Sequence, residues 1–192
     1  MKPTLNHVAL LTASARTSAE YLEQLGLEIG PEEDFPGEGT KEIYVGNTSE
    51  ERGLLLLMEP TREGSYQRAL EKRGPGLHHI AIDVPELKKF ISSLSGTGWF
   101  LLPKSIHTAE TQKTAWLARP GFPALIELQE RRDMAERAQS FVSKLEIPNI
   151  SRYEKLLAPF SLEELADSDD ENFWITFPDG EREAISAITS GD

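Results

Sequence analysis

Leu5-Asn6-His7-Val8-Ala9-Leu10 and Leu77-His78-His79-Ile80-Ala81-Ile82 read against each other at an offset of 72 (79 − 7). Both segments have the apolar, alternating character of strands. At the same offset Gly26-Leu27 meets Gly98-Trp99, and the stretch before each glycine predicts a helix. In the second copy Pro85 suits a first helical position, and Leu87, Phe90, Ile91 and Leu94 fall at i, i+3, i+4 and i+7. In the first copy Ala15, Ala19, Leu22 and Leu25 make a weaker stripe, which Gly26 is placed to end in a left-handed conformation. Three strand-like runs follow each helix, clearest at 42–46 and 54–59 in copy one and at 114–118 and 124–130 in copy two. The last of these align, Gly53 to Glu59 over Ala124 to Glu130, at an offset of 71 (127 − 56). The sequence therefore predicts an α+β fold: two βαβββ repeats, about 4–60 and 76–130, joined in one domain over 1–131. A single repeat has a sheet face to bury and open edges to protect, and pairing two copies answers both needs.

Residues 132–192 lie outside the repeat and read as an ordered C-terminal extension with a helix and a hairpin. Helical character is expected from Arg132 to Leu145, broken at Pro148. Ser161-Leu162-Glu163-Glu164 matches a capping box that would start a short helix. Phe173 to Phe177, then Pro178-Asp179-Gly180, then Glu181 to Ile185 reads as a β-hairpin. This extension could cover a sheet edge, contact the partner of a homodimer or lid a site.

The 192 residues suit one ordinary domain with an appendage better than two domains. Hydrophobic residues at 39% and charged residues at 27% are ordinary globular values, and no window approaches the ~18 consecutive apolar residues of a membrane span. The first residues lack a signal-peptide pattern, so cytoplasmic residence is the default expectation. A formal charge of −12 opposes binding to nucleic acid, although the acidity is concentrated near the carboxyl end and leaves room for a small anionic substrate. Without cysteine, only histidines and carboxylates can hold a metal.

His7 and His79 are repeat mates, so a pseudo-twofold fold would bring them together at its axis. Glu127 lies on the last strand of copy two, facing with Leu125 and Gln129 and away from Ile126 and Leu128. Each of the three taken singly is equally an ordinary core histidine or outward carboxylate. Together they form a 2-His-1-carboxylate set suited to a first-row divalent ion: cobalt, nickel, manganese, zinc or iron. The repeat mate of Glu127 is Leu56, which cannot ligate, and Glu59 has the opposite facing. His78 is expected to face away from His79, in a structural or surface role. His107 falls in an apparent loop, Lys104 to Thr108, and reads as exposed.

Met58-Glu59-Pro60, then Leu70-Glu71-Lys72-Arg73-Gly74-Pro75-Gly76-Leu77-His78-His79-Ile80-Ala81, resemble the vicinal-oxygen-chelate superfamily of glyoxalase, bleomycin-resistance and dioxygenase proteins, and within it the methylmalonyl-CoA epimerases. Asn6-His7-Val8-Ala9 and Leu125-Ile126-Glu127-Leu128 match the same pattern, and the resemblance covers about residues 4–130. It implies His7, His79 and Glu127 as metal ligands, with the remaining ligand position falling on Leu56. It also implies Glu42, in Gly39-Thr40-Lys41-Glu42, as a proton-transferring base. The substrate expected from it has vicinal oxygens and could be an acyl-CoA, although no Gly-rich phosphate loop is present. The leading expectation is a metal-dependent isomerase working through an enolate, epimerase-like or glyoxalase-like. A nonhaem iron dioxygenase using the His, His, Glu triad and a non-catalytic binding protein of the same fold stand beside it.

Overall fold

Two four-stranded halves meet at the centre of one eight-stranded sheet. The computed structural model describes residues 2–131 and 139–191. The first half comprises β1 (Thr4–Leu11), α1 (Ala15–Gln24), β2 (Ile29–Phe35), β3 (Thr40–Val45), the two-residue β4 (Glu51–Arg52) and β5 (Leu54–Pro60). A connecting helix, α2 (Ser65–Arg73), was not anticipated from the pattern. The second half comprises β6 (Gly76–Val84), α3 (Leu87–Ser93), β7 (Phe100–Leu101), α4 (Ser105–Thr111), β8 (Thr114–Ala118) and β9 (Leu125–Glu130). The strand order β2-β3-β5-β1-β6-β9-β8-β7 reads as one half followed by its mirror, with β1 and β6 antiparallel at the join. The α+β reading and the two βαβββ repeats hold.

The helices that cover the sheet begin by matching devices. Ser14 caps α1 by accepting from Thr17 N, and Gly26 closes that helix at φ +85°, a conformation that suits a residue without Cβ. Ala15 N donates to Glu59 Oε2 at 3.0 Å, and its counterpart Leu87 N donates to Glu130 Oε2 at 3.1 Å. Glu59 and Glu130 are themselves repeat mates, so each last strand supplies a carboxylate to the start of its own helix. Helix α3 consequently starts at Leu87, two residues beyond the Pro85 expected from the sequence. Glu59→Ala should cost about 1 kcal/mol, the usual worth of a helix cap. A urea midpoint unchanged from wild type would show that this contact contributes nothing.

Side chains of the sheet segregate by face. Leu5, Val8, Leu10, Leu55, Leu57, Ile80, Ile82, Ile126 and Leu128 are fully or nearly fully buried on the face that carries α1 and α3. The C-terminal extension joins this same apolar cluster through Phe141, Leu145, Ile147, Phe160, Ile175 and Phe177. The backbone at Gly46, with φ +101°, passes so close to the Phe141 ring that a Cβ there would lie 2.7 Å from it. A separate small cluster, Ala9, Leu11, Leu56, Met58 and Tyr66, lies on the opposite face with His7 and His79.

The extension contains β10 (Gln139–Ser140), β11 (Lys144–Pro148), α5 (Glu154–Leu157), β12 (Leu165–Ser168), β13 (Trp174–Thr176), β14 (Arg182–Ala184) and α6 (Ile185–Ser190). The expected hairpin is present, with Trp174 opposite Ala184 and Thr176 opposite Arg182. The expected helix from Arg132 to Leu145 is corrected. Residues 132–138 lie outside the described residues, and 139–145 form β10, a bend and the start of β11. There Leu145 pairs with both Leu165 and Ile175, which a strand permits and a helix does not. The capping box at Ser161 also fails to start a helix. Ser161 takes φ +52°, and the Glu164 carboxylate pairs with Arg52, leaving no reciprocal cap. Among the described residues no helix is long and apolar enough to cross a membrane.

Candidate metal centre

His7 on β1, His79 on β6 and Glu127 on β9 converge on the sheet face opposite the helices. His7 Nε2 lies 3.0 Å from His79 Nε2, and Glu127 Oε2 lies 3.3 Å from His79 Nε2 and 3.8 Å from His7 Nε2. Among the described residues this is the one group of three ligand-type side chains gathered so closely. Register explains the convergence and the gap. Glu127 sits beside Ala81 on β6, and its repeat mate Leu56 sits beside Ala9 on β1 in the equivalent position. Leu56 lines the same cavity, of about 200 Å³, but brings no ligand atom to it.

The donor set fits a divalent ion. Two nitrogens each about 2.1 Å from a common ion, at about 90° to one another, are about 3.0 Å apart. All three groups are buried. Burial, with mutual repulsion as the second cause, holds His7 down to about 3, and burial with the nearby Lys104 holds His79 at about 3. Both rings are therefore neutral at pH 7, the form that offers a lone pair. Burial raises the Glu127 carboxyl above its ordinary value, an effect opposed by His7 and by a hydrogen bond from Gln129.

A second feature of the repeat lies just behind the histidines. The β1–β6 ladder shifts register twice, between Leu5 and His7 and between Ala9 and Leu10. The extra residues are Asn6 on β1 and His78 on β6, which are repeat mates. A bulge re-aims the side chain it inserts. Asn6 Oδ1 accordingly meets His7 Nδ1 at 2.7 Å, and His78 Nδ1 meets His79 Nδ1 at 2.8 Å. Each site histidine is thus backed by the residue that precedes it. Asn6 is fixed in turn, its Nδ2 donating to both Asp83 oxygens at 2.9 and 3.0 Å. The expectation that His78 faces away is corrected: it is buried against Tyr66 and touches His79. Burial, then His79, pushes its ring down to about 2.

Glu42 lines the cavity beside the three ligand-type residues. Thr40 Oγ1 donates to its Oε1 at 2.8 Å, leaving Oε2 without that bond, while burial raises the carboxyl above its usual value. His107 lies on α4, not in a loop, because Thr108 and Gln112 carry the i→i−4 backbone bonds of a helix. It is exposed and takes no part in the cavity. The pattern did not single out Tyr44, Trp116 and Gln129. Tyr44 packs edge-on to His7, with centroids 5.7 Å apart, and Trp116 packs edge-on to His79 at 4.9 Å. Strand alternation was signal enough for Gln129, two residues beyond Glu127, and for Tyr44, two beyond Glu42.

Comparisons with known proteins bear on the family and the fold. The model of the Glyoxalase/Bleomycin resistance protein/Dioxygenase superfamily matches residues 6–116. An ethylmalonyl-CoA/methylmalonyl-CoA epimerase from Cereibacter sphaeroides is 33% identical over 88 residues, 43% of this chain and 62% of that protein. The match thus spans about three fifths of that relative's length. A hypothetical protein from Bacillus halodurans is similar in structure with a TM-score of 0.58 at 26% identity, covering 71% of this chain and 99% of that one. The methylmalonyl-CoA epimerase of Mycobacterium tuberculosis has a TM-score of 0.52 at 24% identity, covering 66% and 86%. That similarity speaks for the fold. With more than half of its residues inside the matching family model and its two repeats paired through β1 and β6, the chain belongs to the glyoxalase/bleomycin resistance protein/dioxygenase superfamily.

Proposed function

We propose that this chain is a divalent-metal-dependent isomerase that moves a proton on a carbon acid, an epimerase whose substrate is an acyl thioester such as an acyl-CoA. The observation that carries this reading is the convergence of His7, His79 and Glu127 beside Glu42 in one cavity. The neutral imidazoles and the carboxylate would hold the ion, which would supply Lewis acidity to a substrate oxygen next to the acidic carbon. Glu42 takes the proton from that carbon through Oε2 as the C–H electron pair moves into the adjacent carbonyl, and inversion is complete when that pair moves back and the carbon takes a solvent-derived proton on its opposite face. Its partial burial weakens solvation of the carboxylate and makes it a stronger base. Thr40 holds the other oxygen and fixes the direction of attack. Gln129 steadies Glu127, and the rings of Tyr44 and Trp116 wall the histidines from water. Residues up to about 131 carry the chemistry, and 132–192 act as a structural extension, in which apolar side chains of the described residues 139–191 pack on the other face.

Incubation of the full chain and a divalent ion with methylmalonyl-CoA in deuterated water should lead to deuterium at the substrate α-carbon, read by mass spectrometry. Absence of incorporation with this substrate and with other branched acyl-CoAs would overturn the isomerase reading. A second reading rests on Leu56: with no fourth ligand, His7, His79 and Glu127 form the facial triad that nonhaem iron oxygenases use. Iron as the metal carried by protein purified without added metal would favour it.

Leu56 itself offers a separate test. Leu56→Glu should tighten binding of an octahedral divalent ion at least about tenfold, the lower end of what changes around a metal site produce. The metal-free variant should melt below wild type, because the new carboxylate is buried among Ala9, Met58 and Tyr44. Unchanged affinity in a folded variant would show that position 56 does not face the ion.

A further inference from the structure

Behind His78, on the side away from His79, lies a second cavity of about 260 Å³. One wall comes from the end of α2 and the start of β6, including Arg73, Leu77 and His78. The other wall comes from the C-terminal extension, including Asn172, Phe173 and Ser186. Arg73 and Ser186, both exposed, bring a guanidinium and a hydroxyl to a lining that also holds Leu11, Leu77 and Phe173, a combination that suits a small carboxylate with a short alkyl body, while the Asn172 amide is already committed to Asp170 Oδ2. Glu171 is exposed and also lines the cavity, which weakens that preference without removing it.

The histidine pair connects this cavity to the front of the sheet. Asn6 presents a carbonyl oxygen to His7, because its amide nitrogen is committed to Asp83, so His7 holds its proton on Nδ1 and Nε2 is an acceptor. His79 then donates from Nε2 across the 3.0 Å contact, and its Nδ1 accepts from His78 Nδ1. That leaves His78 Nε2 a bare acceptor, and it makes no hydrogen bond to a described residue. A divalent ion requires lone pairs on both front Nε2 atoms. His79 must then carry its proton on Nδ1 and donate it to His78 Nδ1, which moves the His78 proton to Nε2. Two protons change place and none is gained or lost. The amide behind His7 cannot respond in this way; the imidazole behind His79 can.

We infer that the cavity behind His78 binds a small carboxylate, and that the His78–His79 pair couples its occupancy to loading of the His7, His79, Glu127 cluster. The coupling rests on the metal-centre reading; the cavity does not. With a divalent ion in front, His78 offers a donor at Nε2 and favours an anion, and by reciprocity the anion favours the ion.

Isobutyrate serves as the probe, with zinc as the ion, on the full ¹⁵N-labelled chain. Calorimetry should show saturable isobutyrate binding that tightens about fivefold or more when zinc is present, the low end of usual coupling. Arg73→Ala should weaken it about tenfold, the scale of a lost charge-assisted hydrogen bond, whereas Glu171→Gln should tighten it. Two-bond ¹H–¹⁵N spectra should place the His78 proton on Nδ1 without zinc and on Nε2 with it. Absence of saturable binding, or affinity untouched by Arg73→Ala, overturns the cavity assignment. Zinc binding that leaves the His78 tautomer unmoved overturns the coupling while the front site stands. Zinc that does not bind removes the front-site reading and the coupling together, and the zinc-free isobutyrate titration still decides the cavity.

Discussion

His79→Ala is expected to abolish stoichiometric binding of a divalent ion, and His7→Ala to do the same, with the fold largely intact. Each substitution leaves one imidazole and one carboxylate, and open cavity replaces the missing lone pair. The two Nε2 atoms lie 3.0 Å apart and both rings are neutral at pH 7, so neither can be replaced by a change in protonation of the other. The fold survives because both side chains border the existing cavity and not the main apolar cluster. Calorimetric titration with zinc or cobalt, beside circular dichroism of the variants, measures both halves of the expectation. Unchanged stoichiometric binding in either variant would remove that histidine from the centre.

Glu42→Gln is expected to keep metal and substrate binding and to lose about 10²–10⁴-fold in exchange of the substrate proton with solvent, the usual contribution of a general base. The amide is the same size and can still accept from Thr40, so the geometry of the 40–42 segment should hold. What it lacks is a basic oxygen facing the cavity. Deuterium incorporation persisting at the wild-type rate would take Glu42 out of the mechanism. Loss of substrate affinity with an unchanged exchange rate would assign it to binding.

The central part of this molecule was legible because a repeat doubles every signal. His7 alone is an ordinary core histidine; with His79 at the same strand position it marks an axis, alternation along β9 gives Glu127 its facing, and the repeat alignment exposes the Leu56 gap. Alternation failed at His78 and gave no warning of Asn6, since a bulge inserts one odd residue and nothing local in Leu5-Asn6-His7 or Leu77-His78-His79 announces it. Their roles as backing groups for the site histidines follow from pairing across β1 and β6, which are distant in sequence. The extension was misread for the same reason. Ser161 to Glu164 has the composition of a helix start, but Glu164 answers to Arg52, 112 residues away. Residues 139–140 and 144–145 form strands because Glu51, Arg52, Leu165 and Ile175 are there to pair with them. Local preference yields to such partners wherever burial rewards them.

The two outermost strands carry a consequence for the protein in concentrated solution. An open edge is a template on which another chain can add a strand and begin to aggregate. On β2 the outer residues are Pro31, which has no N–H to give, and then exposed Glu32, Glu33 and Asp34. A second copy arriving there would set like charges against one another, in a chain whose formal charge is already −12. At the far edge β7 exposes Phe100 and Leu101, yet it is only two residues long and offers an incoming strand almost no ladder. The sheet therefore ends in repulsion on one side and in brevity on the other, and both discourage fibre growth.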